Sequence, residues 1–358
     1  MIKAIIKKQA TQQCALKDKL ISNRRGQELE ILIGDFMDQE CAEWMEQTKF
    51  RRNVFQSVFR ELARNKYLYL LTVPGLLFIL IFNYIPMLGV YVAFLDFNPI
   101  KGLTGSEFVG LRNFDFFFSG LDWPRVTFNT IYLNLLFILG EIVSAIVLAV
   151  VINEIGGKWF KRVTQSVIIL PFFISWAVVS IFMIALLSSD TGLINNTLEA
   201  MGLQSISFYS SPEAWPGILI AIRIWKSAGY GTIIYLAAMA GINNDLYESA
   251  KIDGANRLQM IRYITLPLMK SITILLVLLA LGKIFYGDFG MIYALVGDNQ
   301  FLYPTTDVID TFVYRSLRTL GDFGMASAVG LYQSIMGLIL ILITNKIVKL
   351  YDRDASIY

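Results

Sequence analysis

Histidine is absent from this 358-residue sequence. That absence removes imidazole acid–base chemistry, His-ligated metals and Ser/His or Cys/His nucleophilic pairs. Cysteine occurs only at Cys14 and Cys41, too few and too far apart for a zinc site or a disulfide framework. Charge is scarce: 16% of residues are charged and 55% are hydrophobic, where a soluble domain carries about 25% charge and is about half apolar. The excess apolar surface needs somewhere other than water to go. The net charge of +3 is small, and the basic residues flank apolar runs without an aromatic-interleaved face, so no nucleic-acid partner is expected. No Gly-x-x-x-x-Gly-Lys-[Ser/Thr] loop is present to cradle a nucleotide.

What is present is a set of six apolar stretches. Each is long enough, at about 1.5 Å per residue, to cross a hydrocarbon layer of roughly 30 Å. They lie near Leu68–Leu95, Thr130–Asn153, Thr164–Leu187, Pro216–Ala240, Ile264–Tyr286 and Ala326–Ile347. The first contains Pro74, Asn83 and Pro86 and is expected to kink. A soluble bundle would need a polar stripe on some of these helices, and Ile131–Val151 offers only Asn134 and Glu141 as strong polar breaks. An all-α polytopic membrane protein with six transmembrane helices is therefore expected.

Orientation follows from where lysine and arginine fall. Twenty-three of them lie before the first stretch, in the second and fourth connections and in the tail; five lie in the other connections. Both termini are expected in the cytoplasm. The organisation expected is a cytosolic extension over 1–66, a membrane domain over 67–350 and a short cytosolic tail over 351–358. The extension, basic to Arg25 and acidic from Glu28 to Glu46, lacks the apolar core of a cleaved signal peptide.

The connection after the fourth stretch, 241–267, carries the densest pattern. Asn243 or Asn244 can cap a short helix from about Asp245, with Glu248 in its first turns. Gly254 supplies a left-handed stop, Ala250 and Ala255 keep the surface small, and Pro267 sits near the start of the fifth stretch. The run Glu248-Ser-Ala-Lys-Ile-Asp-Gly-Ala255, followed after nine residues by Ile264-Thr-Leu-Pro267, resembles the EAA loop of binding-protein-dependent ABC importer permeases. Ser249 replaces the usual alanine, and Lys270 stands where a further proline is common. Tyr84-Ile-Pro-Met, Asp96-Phe-Asn-Pro99, Leu170-Pro-Phe-Phe-Ile-Ser-Trp176 and Gly330-Leu-Tyr-Gln-Ser334 are similar to the MalF-like carbohydrate permeases, in their LplB-type oligosaccharide subgroup. Phe172 occupies a place where many relatives have histidine.

The resemblance covers roughly 65–350 and implies a type I importer permease in the bacterial cytoplasmic (inner) membrane. It also implies a second homologous permease, two ATPase subunits holding the ATP and magnesium, and an extracytoplasmic solute-binding protein. This chain would then be no enzyme and hold no cofactor. ATPase coupling is implied for Asp245, Leu246, Tyr247, Glu248, Ser249, Ala250, Asp253, Gly254, Ala255, Leu266 and Pro267, with Glu248 meeting a basic residue of the ATPase.

Ionisable groups inside a span are costly and usually face a path or a partner. Arg223 and Lys226 share a helix face in the fourth stretch, with Trp225 and Tyr230 nearby. Aromatic planes with adjacent donors suit sugar rings, and two fixed cations suit a carboxylated sugar, so these four residues are candidates for contact with an oligosaccharide, including a uronate-containing one. The competing reading is that the cations snorkel or pair with Glu141 or with the partner permease. An ion-coupled secondary transporter is the rival class; it would show internal repeats and broken helices at matching positions, and no half-to-half similarity is found. Asn83, Asn134 and Asn153 are expected to bond between helices.

Overall fold

The computed structural model describes residues 64–120 and 122–351. The extension expected at 1–66 falls, up to residue 63, outside the described residues, as do Cys14, Cys41 and the tail beyond Tyr351. The chain divides into two compact units at Pro86/Met87, and each is taken by itself.

In the first unit, α1 (Lys66–Ile79) contains Pro74 and continues into a π-helical turn, Leu80–Tyr84. The turn precedes Pro86, whose ring cannot accept an ordinary α-turn behind it and whose nitrogen has no hydrogen to donate. The kink expected there takes the form of this wider turn. The helical run continues to Phe94 and is long and apolar enough to cross a membrane.

In the second unit, a two-stranded hairpin pairs β1 (Leu95–Asp96) with β2 (Glu107–Phe108), Leu95 opposite Phe108 and Asp96 opposite Glu107. The helices that follow are α2 (Arg112–Ser119), α3 (Asp122–Glu154), α4 (Lys158–Ile169), α5 (Trp176–Leu187), α6 (Leu193–Ala200) and α7 (Trp215–Ala240). After them come α8 (Asn244–Ile252), α9 (Arg257–Met260), α10 (Lys270–Leu281), α11 (Phe289–Val296), α12 (Ile309–Arg315) and α13 (Phe323–Tyr351). Like the run from Lys66 to Phe94, α3 and α13 qualify as membrane crossings by themselves. Two bent helix pairs are long and apolar enough only when taken together, α4 with α5 at 94° and the helix through α9 with α10 at 53°. With each pair as one span, the count among the described residues reaches five. α7 has 26 residues, about 39 Å at 1.5 Å each, with an apolar content diluted by Arg223 and Lys226.

The third and fifth stretches thus depart from the straight spans expected. Thr164–Leu187 breaks at a 3-10 turn, Leu170–Phe173, that contains Pro171; the chain restarts where the Ser175 hydroxyl accepts from Val178 N at 3.3 Å. The fifth ends its regular helix at Leu281, short of Tyr286. Backbone carbonyls freed in a bilayer have no water to turn to. Asn134 Nδ2 donates to the carbonyls of Ile284 (2.9 Å) and Tyr286 (3.1 Å), and Gln333 Nε2 donates to Phe285 O at 2.9 Å. Asn134 therefore bonds from α3 to the non-helical segment that follows α10, and not to a neighbouring helix.

The densest packing joins α3 to α7, and the sequence explains it through small residues. A Cβ added to Gly140 would lie 2.6 Å from Ile224 Cδ1, and one on Gly231 would lie 2.8 Å from Ala145 Cβ. Ala145 and Ala149 are fully buried there. Without a hydrophobic drive between helices in lipid, this close backbone approach and its dispersion contacts supply the adhesion. Gly229 is tighter still: an added Cβ would sit 2.1 Å from the backbone oxygen of Ile168. Gly229→Ala is expected to force α4 away from α7 and to cost on the order of 2 kcal/mol, read as a lowered thermal midpoint of the detergent-purified protein. An unchanged midpoint would contradict this packing.

Candidate functional site

Two regions bring the expected residues together. The first is the connection between α7 and α10. The Asn243 side chain accepts from Asp245 N at 3.0 Å and starts α8, with Asp245 in the first turn and Lys251 in the last, both on the favourable side of the helix dipole. Gly254, at φ +81°, ends it: Ala255 N reaches back to Ala250 O at 2.9 Å and Gly254 N to Lys251 O at 3.1 Å, the hydrogen-bond pattern of a glycine-terminated helix. Asn256 and Gln259 then cap α9 reciprocally, at 2.9 and 2.8 Å. A π-helical turn, Ile261–Thr265, carries the chain to Leu266, Pro267 and α10.

The two short helices are tied together by the Tyr247 hydroxyl, 2.9 Å from Thr265 Oγ1, and Thr265 is buried. Around this tie the surface is open. Asp245, Leu246, Glu248, Ser249, Asp253, Gly254, Leu266 and Pro267 are exposed, and Tyr247, Ala250 and Ala255 are half-buried. Ile252, at the end of α8, is 87% exposed. A short, capped, rigidly turned helix with acidic and apolar side chains facing outward is suited to insertion into a cleft on another protein. Thr265 was missed by sequence reasoning, because nothing local links a threonine to a tyrosine 18 positions earlier.

The second region lies within the membrane crossings. Arg223 Nε is 2.5 Å from Glu141 Oε1 of α3, and its Nη1 bonds Asp288 Oδ2. Asp288 in turn caps α11 by accepting from Met291 N at 2.9 Å. One guanidinium thus joins three helices, and its charge is matched by two carboxylates. Lys226 is 8% exposed, and its ammonium donates to the carbonyls of Pro171 (3.3 Å), Phe172 (2.8 Å) and Ile174 (2.5 Å), beside the Trp176 ring at 5.1 Å. At the break between α4 and α5 the Pro171 carbonyl also accepts from Ile174 N at 3.1 Å, and Lys226 supplies a donor to the carbonyls of Phe172 and Ile174.

The two fixed cations expected are therefore not available as a pair: Lys226 holds backbone, and Arg223 is paired with Glu141, the competing reading, and also with Asp288. Tyr230 shares the face of Arg223 and Lys226 and stacks on Phe172, with ring centroids 4.8 Å apart and 13° between planes. Trp225 lies about 200° round the helix from Arg223 and does not join them. Tyr230 and Trp225 remain about half exposed, at 51% and 49%. Asp288 escaped the sequence reading, although an aspartate just before an apolar helix is a recognisable cap. No group of three or more metal-ligating side chains occurs among the described residues.

Residues 141–356 match the family described as binding-protein-dependent transport system inner membrane component. The chain is 38% identical over 293 residues to protein LplB of Bacillus subtilis strain 168, covering 82% of this chain and 92% of LplB. It is 35% identical over 305 residues to the polygalacturonan/rhamnogalacturonan transport system permease protein YteP of the same organism, covering 85% and 94%. Among solved structures it resembles a chain of a bacterial ABC transporter involved in the import of the acidic polysaccharide alginate. There the TM-score is 0.75 and the identity 34%, over 82% of this chain and 99% of that one. A chain of the alginate transporter in complex with an alginate pentasaccharide-bound periplasmic protein matches with a TM-score of 0.74 and the same identity, over 82% and 97%. This chain belongs to the binding-protein-dependent inner membrane components, as a sugar ABC importer permease of the type I fold.

Proposed function

We propose that the chain forms half of the translocation path of an ATP-driven importer of uronate-containing oligosaccharides. It would work with a second homologous permease, two ATPase subunits that hold the ATP and magnesium, and an extracytoplasmic solute-binding protein. It would sit in the bacterial cytoplasmic membrane with both termini in the cytoplasm. The observation that carries this reading is α8, capped at Asn243, stopped at Gly254 and presenting Glu248 and Leu246 outward beside the bent fifth crossing. An acidic sugar is favoured by the relatives, one named for polygalacturonan and one structure for alginate.

The residues divide the work. Leu246, Glu248, Ser249 and Asp253 meet the ATPase cleft, where a desolvated partner makes the Glu248 charge count for more than it does in water. The Tyr247–Thr265 tie and the Asn256–Gln259 cap hold α8 and α9 as one lever on α10. Arg223 and the Phe172–Tyr230 stack face the sugar. Reconstitution of the complex with candidate binding proteins, each loaded with a defined sugar, tests this directly: a uronate-loaded protein should stimulate ATP hydrolysis several-fold. Stimulation by neutral sugars alone would refute the acidic substrate.

Asn256→Ala should loosen the lever without touching its exposed face. Loss of a cap costs about 1 kcal/mol, and uptake per ATP hydrolysed is expected to fall about two- to five-fold while the ATPase subunits stay bound. A stoichiometry equal to that of the unaltered complex would contradict the lever.

A further inference from the structure

Helix α11 presents two unlike faces. Met291, Ile292, Leu295 and Val296 are buried against the core around Leu133, Met183, Trp215 and Leu219. On the other side Phe289 and Tyr293, one turn apart, stack with centroids 5.1 Å apart and 11° between planes. Tyr314 of α12 closes the group at 4.9 Å from both rings. At its far end the Arg318 guanidinium donates to the Tyr293 hydroxyl at 2.8 Å, lies 5.9 Å from the Tyr314 ring, and meets Asp298 at 3.4 Å.

The helix fixes where this group lies. Its first residue follows Asp288, the carboxylate bonded to Arg223 in the middle of α7. Just past its last turn, Asn299 Nδ2 donates to Tyr209 O at 2.7 Å, in the connection that enters α7 from the end away from α8. The rings and Arg318 therefore run from the Arg223 cluster toward the face opposite the coupling loop.

We propose that Phe289, Tyr293, Tyr314 and Arg318 form a saccharide-binding strip, an outer station that receives a uronate-containing oligosaccharide before it reaches Arg223. The strip rests on the substrate reading above for its carboxylate. Pyranose C–H faces are apolar and pack on aromatic planes, while the ring hydroxyls and carboxylate need donors at the rim; the strip supplies both. A lipid-facing surface would not carry an ion pair and two hydroxyls. Arg318 also exchanges more readily than Arg223. Arg318 and Asp298 are 59% and 61% exposed, whereas Arg223 is 25% exposed between two carboxylates. An exposed pair contributes little, so a sugar carboxylate displaces Asp298 at small cost.

The test uses the complete complex in proteoliposomes, with ATP inside and loaded binding protein outside, following uptake of trigalacturonate and, separately, maltotriose. Arg318→Gln is expected to raise the half-saturating concentration of trigalacturonate-loaded protein about tenfold with the maximal rate unchanged; Arg318→Lys should recover part of it. Tyr293→Ala with Tyr314→Ala should raise half-saturation for whichever sugar the unaltered complex carries, and the two phenylalanine variants should not. Saturation curves that coincide with the unaltered complex for Arg318→Gln and for the double alanine variant would overturn the strip. So would a fall in maximal rate alone, which marks a structural role. Uptake of maltotriose and no trigalacturonate by the unaltered complex would instead refute the acidic substrate and the carboxylate role of Arg318, leaving the aromatic strip to be judged by the tyrosine variants on maltotriose.

Discussion

Lys226→Met is expected to abolish most transport and to lower the thermal midpoint of the purified complex. The ammonium donates to three carbonyls at the 94° break between α4 and α5. Of these, Pro171 O also accepts from Ile174 N, so loss of the ammonium leaves those of Phe172 and Ile174 open. A methionine of similar length fills the space and donates nothing. Each buried acceptor left open costs about 1–3 kcal/mol, and removal of a poorly solvated cation returns part of that. The net loss is on the order of 3 kcal/mol, or roughly a hundredfold in the local folding equilibrium. The break is also the wall on which Phe172 stacks against Tyr230, so the damage reaches the surface proposed to face the sugar. Lys226→Arg keeps the charge, but its planar fork does not fit three converging oxygens, and an intermediate midpoint is expected. A Lys226→Met complex as stable and as active as the original would show that the Phe172 and Ile174 carbonyls find other partners.

Glu248→Ala is expected to reduce uptake at least tenfold with no change in the thermal midpoint of the isolated permease. Glu248 is exposed, so its removal leaves the fold intact and would act only through the proposed contact with the ATPase. Gly254→Val should add a conformational fault: at φ +81° a branched L-residue costs at least about 1–2 kcal/mol, although an added Cβ meets nothing within 4 Å. The glycine is therefore required by backbone angle and not by space. Co-purification of the ATPase subunits, together with uptake, reads both variants. Retention of the subunits with undiminished uptake in Glu248→Ala would remove the coupling role assigned to α8.

The local structure of the connection between α7 and α10 was legible in the sequence because its determinants are local. A cap at Asn243, a left-handed stop at Gly254 and a proline at 267 are each recognised within a few residues of where they act. The crossings were legible too, since apolar length alone identifies them. Their shape was not. The third crossing breaks around Pro171 with Lys226 as its support, and donor and acceptors lie 52 to 55 positions apart, beyond any periodic signal. Arg223 shows the middle case. Glu141, a lone carboxylate in the second crossing, was a foreseeable partner, whereas Asp288 lies just past the fifth and acts only because α10 ends at Leu281 instead of Tyr286. Trp225 was grouped with Arg223 by nearness in the chain, and helical rotation separates them.

The glycines at 140, 229 and 231 have a mechanical consequence. Gly140 and Gly231 leave no soft layer between α3 and α7, so sliding one rod along the other would drive Ile224 into Gly140 or Ala145 into Gly231, while the Ile168 carbonyl on Gly229 seats α4 against α7. α3 and α7 therefore behave as a keel. Any rocking of the subunit has to be taken up at its two elbows, near Ile174 and near Met269.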